Sequence, residues 1–166
     1  MPGAGGDIAA RLSFEMEDIM ADRVPASIEL GGVIHAAAYA ELVSVIQSEG
    51  LSVEWDGESF EPDHRTEGEL LRLHAYEVAW GRFDALEAFC IGKGLPFVRW
   101  SGGYGGNFGP ERLVFTGDGE RNSYEANEDD EVVIGRYLVT ELGSHEAVLA
   151  YFDAANFKVP PLVIEG

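Results

Sequence analysis

Glu54, Asp56 and Glu58 stand at alternate positions of the chain, and Glu61, Asp63, Glu67 and Glu69 follow closely. In an extended backbone alternate side chains share one face at a spacing of about 6.8 Å. One strand of DNA advances roughly 3.4 Å per phosphate, so a row of this kind can imitate phosphate charge within a factor of two. A second block holds Asp118, Glu120, Glu125, Glu128, Asp129, Asp130 and Glu131, with Arg121 as the single base among them. A run of charge is ordinarily a solvated loop. What argues for a binding face is the whole chain: 30 acidic against 11 basic residues, a net charge of −19 over 166 positions. So large an excess destabilises a fold by self-repulsion and exceeds what solubility needs. It disfavours contact with nucleic acid or an anionic membrane, both of which recruit Lys and Arg, and it favours basic partners.

Other chemistry is poorly supported. Asp118, Glu120, Asn122 and Asp129 fall at positions 1, 3, 5 and 12 of a calcium loop, but position 6 is Ser123 where Gly is required, and strands are expected to flank it. His35, His64, His74 and His145 are not spaced with one another or with Cys90 as metal ligands. Cys90 falls on the apolar face of an expected helix, where a thiol packs as a small hydrophobe, and Asp63-His64-Arg65 beside Pro62 reads as a polar turn. The glycine-rich stretch 101–109 leads through Pro110 into a strand-like run, so it reads as a hairpin connection and not as a phosphate loop, which must open a helix. Its Tyr104 and Phe108, between Arg99 and Arg112, form a candidate aromatic contact patch. Neither metal nor cofactor is expected, and no acid–base pair marks an enzyme.

The elements that must position these residues show an internal repeat. Residues 39–55 echo residues 83–100 at an offset of 44, becoming 45 at Trp55 and Trp100. Each copy carries an apolar helical stripe (Tyr39, Leu42, Val45, Ile46; Phe83, Leu86, Cys90), a closing Gly50 or Gly94, and then a strand ending in Trp. Strand-like runs, 27–33 and 70–78, precede the helices. Leu42, Ile46, Leu51, Val53, Leu86, Leu95 and Phe97 are the expected core, and both tryptophans are expected to pack in the core or on the sheet face.

A third, diverged copy is read as a strand over 132–140, a helix capped by Ser144 with Val148, Tyr151, Phe152 and Ala155 inward, and a strand over 160–164. Ile8, Leu12, Met16, Ile19 and Met20 suggest a helix over 8–20, ended by Pro25. The expected class is α+β: tandem β-α-β repeats forming a ferredoxin-like unit, with the third copy extending the sheet or forming a small lobe. The expected division is an N-terminal helical segment 1–25, the double repeat 26–116, and the acidic loop with the third copy 117–166.

Eighteen aromatic residues, nine Phe, six Tyr and three Trp, rule out an acidic disordered tail. A lone cysteine fits a reducing, cytoplasmic setting, and neither a membrane span nor a signal peptide is legible. In general character only, a small, very acidic chain of this kind resembles the DNA mimics that phages and mobile elements use against restriction or CRISPR machinery. The resemblance carries no residue correspondence. It implies an inhibitor that occupies the basic DNA- or RNA-binding channel of a partner, without itself binding nucleic acid. The expected contacts are Glu54, Asp56, Glu58, Glu61, Asp63, Asp118, Glu120, Glu128, Asp129, Asp130 and Glu131. The alternatives are an antitoxin or immunity-type protein that blocks a basic toxin, and a small-ligand module or enzyme.

Overall fold

In β1 (Arg23–Leu30) every second side chain, Val24, Ala26, Ile28 and Leu30, turns into the core, the period of two that one buried sheet face imposes. A computed structural model describes residues 22–166; the helix expected over 8–20 lies outside them. Pro25 sits within β1, a central strand where a missing N–H is normally excluded, and the register shifts there, between Val24 and Ala26. The chain breaks at Gly31 and Gly32, where a Cβ on Gly31 would run into the Pro160 carbonyl and Gly32 holds φ 101°. It resumes as β2 (Gly32–His35).

Helix α1 (Ala36–Ser48) buries Leu42, Val43 and Ile46 and closes through Gly50 at φ 73°. β3 (Leu71–Ala79) precedes α2 (Asp84–Lys93), which buries Leu86 and Cys90 and closes on the left-handed Gly94. Acids in the first turn of α2 and Lys93 in the last suit its dipole. β4 (Phe97–Ser101), β5 (Glu111–Phe115) and β6 (Asn122–Glu125) follow. These strands form one five-stranded antiparallel sheet in the order β3-β1-β4-β5-β6. The glycine-rich stretch is the β4–β5 hairpin connection, as expected.

Both helices pack on one face of the sheet, and their apolar residues join Ile28, Leu30, Leu73 and Phe97 in a single core. All the expected core residues are buried except Val53, which is half-buried against it. On the opposite face Val98 and Val114 meet Val159 and Phe157 of the returning chain, so β4–β6 are covered while β1 and β3 present Glu29, Arg72, His74 and Tyr76.

Three local expectations are corrected. The strand ending at Trp55 shrinks to the bridge Ser52–His74, after which the chain turns at 54–57 with Asp56 at φ 58°. The Ser52 hydroxyl causes it, lying 2.7 Å from the Glu58 carbonyl and 3.0 Å from that of Gly57, which folds the chain back on itself. The region 132–140 is not a strand: it contains α3 (Arg136–Leu142), started at Gly135 and closed by Gly143 at φ 81°, with the Tyr137 hydroxyl donating to Glu141 one turn on. The loop 117–131 contains β6.

Helix α4 (His145–Ala155) does start at Ser144, whose hydroxyl accepts from the Ala147 N–H. Of its expected stripe, Ala155 is buried and Val148, Tyr151 and Phe152 are half-buried. The last strand, β7 (Leu162–Glu165), pairs parallel with β2 in a separate two-stranded sheet. No helix among the described residues is long and apolar enough to cross a membrane.

Candidate functional site

The first acidic block projects from a loop with a fixed underside. Phe60 is fully buried in the core. Around it the Gln47 amide donates to the Phe60 carbonyl (2.9 Å), the Tyr39 hydroxyl to the Pro62 carbonyl (2.6 Å), and Ser52 holds the preceding turn. A short 3-10 turn (Pro62–His64) adds a reciprocal cap: the Glu61 N–H donates to His64 Nδ1, and the Glu61 carboxylate accepts from the His64 N–H. The carboxylates of Glu54, Asp56, Glu58, Glu61 and Asp63 are brought together on this loop, all on exposed residues. Because 54–57 is a turn, Glu54, Asp56 and Glu58 are not the straight row that an extended chain would give. Charge is presented as a cluster, with His64 Nε2 3.5 Å from the Glu58 carboxylate.

The second block is divided. Asp118 and Glu120 occupy the β5–β6 turn, where the Asp118 carboxylate accepts from the Gly119 N–H, while Glu128, Asp129, Asp130 and Glu131 follow β6. The calcium-loop positions therefore fall at opposite ends of a strand. Asp130 is not a solvated loop charge: it pairs with Arg112 at 2.8 Å, and Arg112 also reaches the Asp130 and Ala155 carbonyls and Asn156. Burial pushes the Asp130 carboxyl up from its ordinary value, with Arg112 pulling it back. Glu128 accepts from the Gly103 N–H, tying this block to the glycine-rich hairpin. Asp118, Glu120, Asp129 and Glu131 remain exposed. The first block borders β3, while the second is split between the β5–β6 turn and a stretch, 127–131, that lies back against the sheet. There the Asn127 carbonyl sits on Trp100 of β4, Glu128 on Gly103, and Asp130 is close enough to Glu29 of β1 and Arg72 of β3 to feel their charge.

Residues 70–116 are nearly neutral, with four acids against five bases, and part of that charge is paired inside the fold. Arg99 is buried with its Nε 3.1 Å from Glu87 and Nη1 3.1 Å from Glu111, and it donates to the Gly81 carbonyl. Burial pushes the Glu87 carboxyl upward, against the pull of Arg99 and the Phe83 N–H. Arg72 pairs with Glu29 at the surface and Arg112 with Asp130; such pairs cancel charge one for one, so the surplus of acid stays with the unpaired carboxylates. Cys90 is fully buried, its thiol pushed up to about 12 by burial, with Glu87 adding to the effect. That suits packing and not nucleophilic attack.

No relative comes from known proteins: no family model matches the chain, and no curated protein or solved structure matches it significantly. The site's geometry is therefore read on its own terms.

Beyond the expected acids, the structure gathers residues that spacing did not single out. Glu49 and Glu77 line a cleft at the outer edge of β3 together with Glu54 and Asp56. Glu49 caps the C-terminus of α1, where the helix dipole disfavours an acid. That misplacement was the available signal. Its carboxylate accepts from the Ala85 N–H at 3.3 Å, and burial raises its pKa above the ordinary value. Trp55 is exposed and stacks on His74 (4.6 Å) and Tyr76 (4.8 Å), while Trp100 is buried and donates to the Asn127 carbonyl. Trp80 takes φ 57°, a conformation that a bulky side chain rarely holds, and lies 6.4 Å from Phe108, which stacks on Tyr104.

Proposed function

We propose that this chain is an acidic interaction protein that inhibits a nucleic-acid-binding protein by occupying its basic DNA- or RNA-binding channel. The observation that carries the reading is the pinned first block: exposed carboxylates stand on a loop anchored by Phe60 and by hydrogen bonds from Ser52, Gln47 and Tyr39. A loop serving solubility alone needs no such anchor, whereas a charged surface held in one shape loses less freedom on binding. Asp118 and Glu120, at the β5–β6 turn on the other side of the sheet, give the surface the breadth to span a groove. Attraction between these faces and Lys or Arg of the partner speeds encounter and is screened by salt.

The scaffold is read as a ferredoxin-like unit whose second strand has shrunk to Ser52. The neighbour order Ser52, β3, β1, β4 with both helices on one face supports this, and the β5–β6 hairpin widens the sheet. A lone, buried Cys90 suits action in the cytoplasm.

The test is affinity purification from the native host, uninfected or phage-infected, followed by competition between this protein and duplex DNA or RNA for the captured partner. The expected partner is a basic nucleic-acid-binding protein that releases its nucleic acid as this protein is added. A captured partner that keeps its nucleic acid at saturating protein overturns the reading, as does a salt-sensitive mobility shift of free duplex by this protein alone.

A further inference from the structure

The outer edge of β3 is open. His74 gives both its N–H and its carbonyl to Ser52, and from Ala75 to Ala79 this edge meets no strand among the described residues. The register with β1 gains one residue on β3 between Ala75 and Val78, and beyond this bulge the alternation resumes with Val78 toward β1 and the Glu77 N–H and carbonyl on the same side as those of His74. Unpaired strand edges are templates for another chain, and most folds cover or shorten them. Here the edge forms one wall of two adjoining hollows of about 740 Å³ and 500 Å³, which share Glu49 and Glu77. The end of α1 forms the other wall. The uncovered stretch Ala75–Ala79 is roughly 17 Å long, bulged at its middle, with the Ala79 carbonyl already accepting from the Arg82 N–H.

Charge decides what fits. The larger hollow is lined by Glu49, Glu54, Asp56 and Glu77 and by no Lys or Arg. The smaller adds Asp84, with Arg23 and Arg82, and its apolar lining includes Trp80 and Phe83. A second copy of this chain laid edge to edge would set these acids against each other. The segment 1–21 carries Asp7, Glu15, Glu17 and Asp18 against Arg11 alone, so its charge does not complement these acids. The strained Trp80 backbone fixes an indole, 39% exposed, at the apolar end.

We propose that the β3 edge binds an extended segment of the partner as an added strand, with Arg or Lys side chains toward Glu49, Glu54, Asp56 and Glu77 and an apolar residue at Trp80. Main-chain hydrogen bonds supply affinity and the alternate side-chain positions supply selectivity, as in other strand additions. The proposal rests on the acidic surface being a binding surface, and it names the part of the partner engaged.

The probe is a capped hexapeptide of alternating arginine and valine, titrated into the full-length protein. Two control peptides carry backbone N-methyl groups on all arginines or on all valines, which keeps charge and removes donors from one side only. The expected result is that one methylated peptide loses at least about tenfold in affinity while the other binds like the parent, since only one row of donors meets β3. Amide exchange at Glu77 slows on binding of the parent, and E77K weakens it with an unchanged melting temperature. Equal binding of all three peptides, protection elsewhere than 75–79, or no binding at all overturns the strand addition. If the peptides fail in these ways while competition for the captured partner persists, the edge is wrong and the acidic inhibitor stands. If competition fails while the parent peptide still protects the Glu77 amide, the inhibitor reading falls and the edge remains a basic-peptide site.

Discussion

In the first acidic block Glu54, Asp56, Glu58, Glu61 and Asp63 all sit on exposed positions of a loop whose underside is held by Phe60. In the second, half-buried Asp130 is held by Arg112, and Glu128, itself on an exposed position, accepts from the Gly103 N–H. The two stretches have similar composition and opposite relations to the fold: the core anchors the first block from beneath, and the second block's own charges help hold β5, α4 and the hairpin in place. A carboxylate that is already a structural partner has less to offer a binding partner, because its attraction is spent and its removal exposes a cation. The first block is accordingly the stronger candidate for contact.

The largest expected effect comes from removing the anchor. Phe60→Ala should cost about 3–5 kcal/mol, the usual range for a buried aromatic, and should loosen the first block while Arg112 and Asp130 stay paired. Thermal unfolding together with amide exchange over 53–69 checks this; an unchanged melting temperature would mean that the loop is not pinned. A smaller loss, about 2 kcal/mol, is expected for Arg112→Met, since charge-assisted hydrogen bonds contribute roughly 1.5–3 kcal/mol and Asp130 keeps part of its hydration. This loss should be confined to the second block and α4.

pH should sharpen the same contrast with a gentler effect. Burial raises the carboxyls of Asp130, Glu49 and Glu87, so just above their ordinary values of 3.8 and 4.5 the folded chain binds more protons than the unfolded one. Stability should therefore rise as pH falls toward those ordinary values. His74 opposes this, because burial and Arg72 lower its pKa below 6.5 and the unfolded chain takes that proton first. A melting temperature that falls steadily along that approach would show that His74 outweighs the three carboxyls.

Much of the fold was legible because burial writes itself into the sequence as spacing. Leu42 and Ile46 in α1 and Leu86 and Cys90 in α2 mark their inner faces, and Gly50 and Gly94 mark the helix ends. What escaped depended on contacts between distant residues. The expected strand at Trp55 was undone by one hydroxyl, that of Ser52, and 136–142 was made helical by glycines at both ends despite Val139 and Thr140. Of the site, the acids were visible and their standing was not. Nothing local distinguishes Asp129, which is exposed, from Asp130, which Arg112 holds from eighteen residues away. Nor could the edge cleft be read, since Glu49, Glu77 and Trp80 converge only once β3 is the end of a sheet.

On the proposed function, exposed, pinned carboxylates carry partner binding. The most direct measurement is the association rate with the captured partner at low and high salt, for the native protein and for a variant with Glu54, Asp56 and Glu58 changed to Gln, Asn and Gln. Loop charges of this kind contribute little stability, so the variant should stay folded. Association should slow by about tenfold or more at low salt and converge with the native rate as salt rises, the signature of screened steering. A folded variant in which this trio and the exposed Glu120, Asp129 and Glu131 are all neutralised, yet which binds the partner with unchanged affinity at low salt, would contradict the claim.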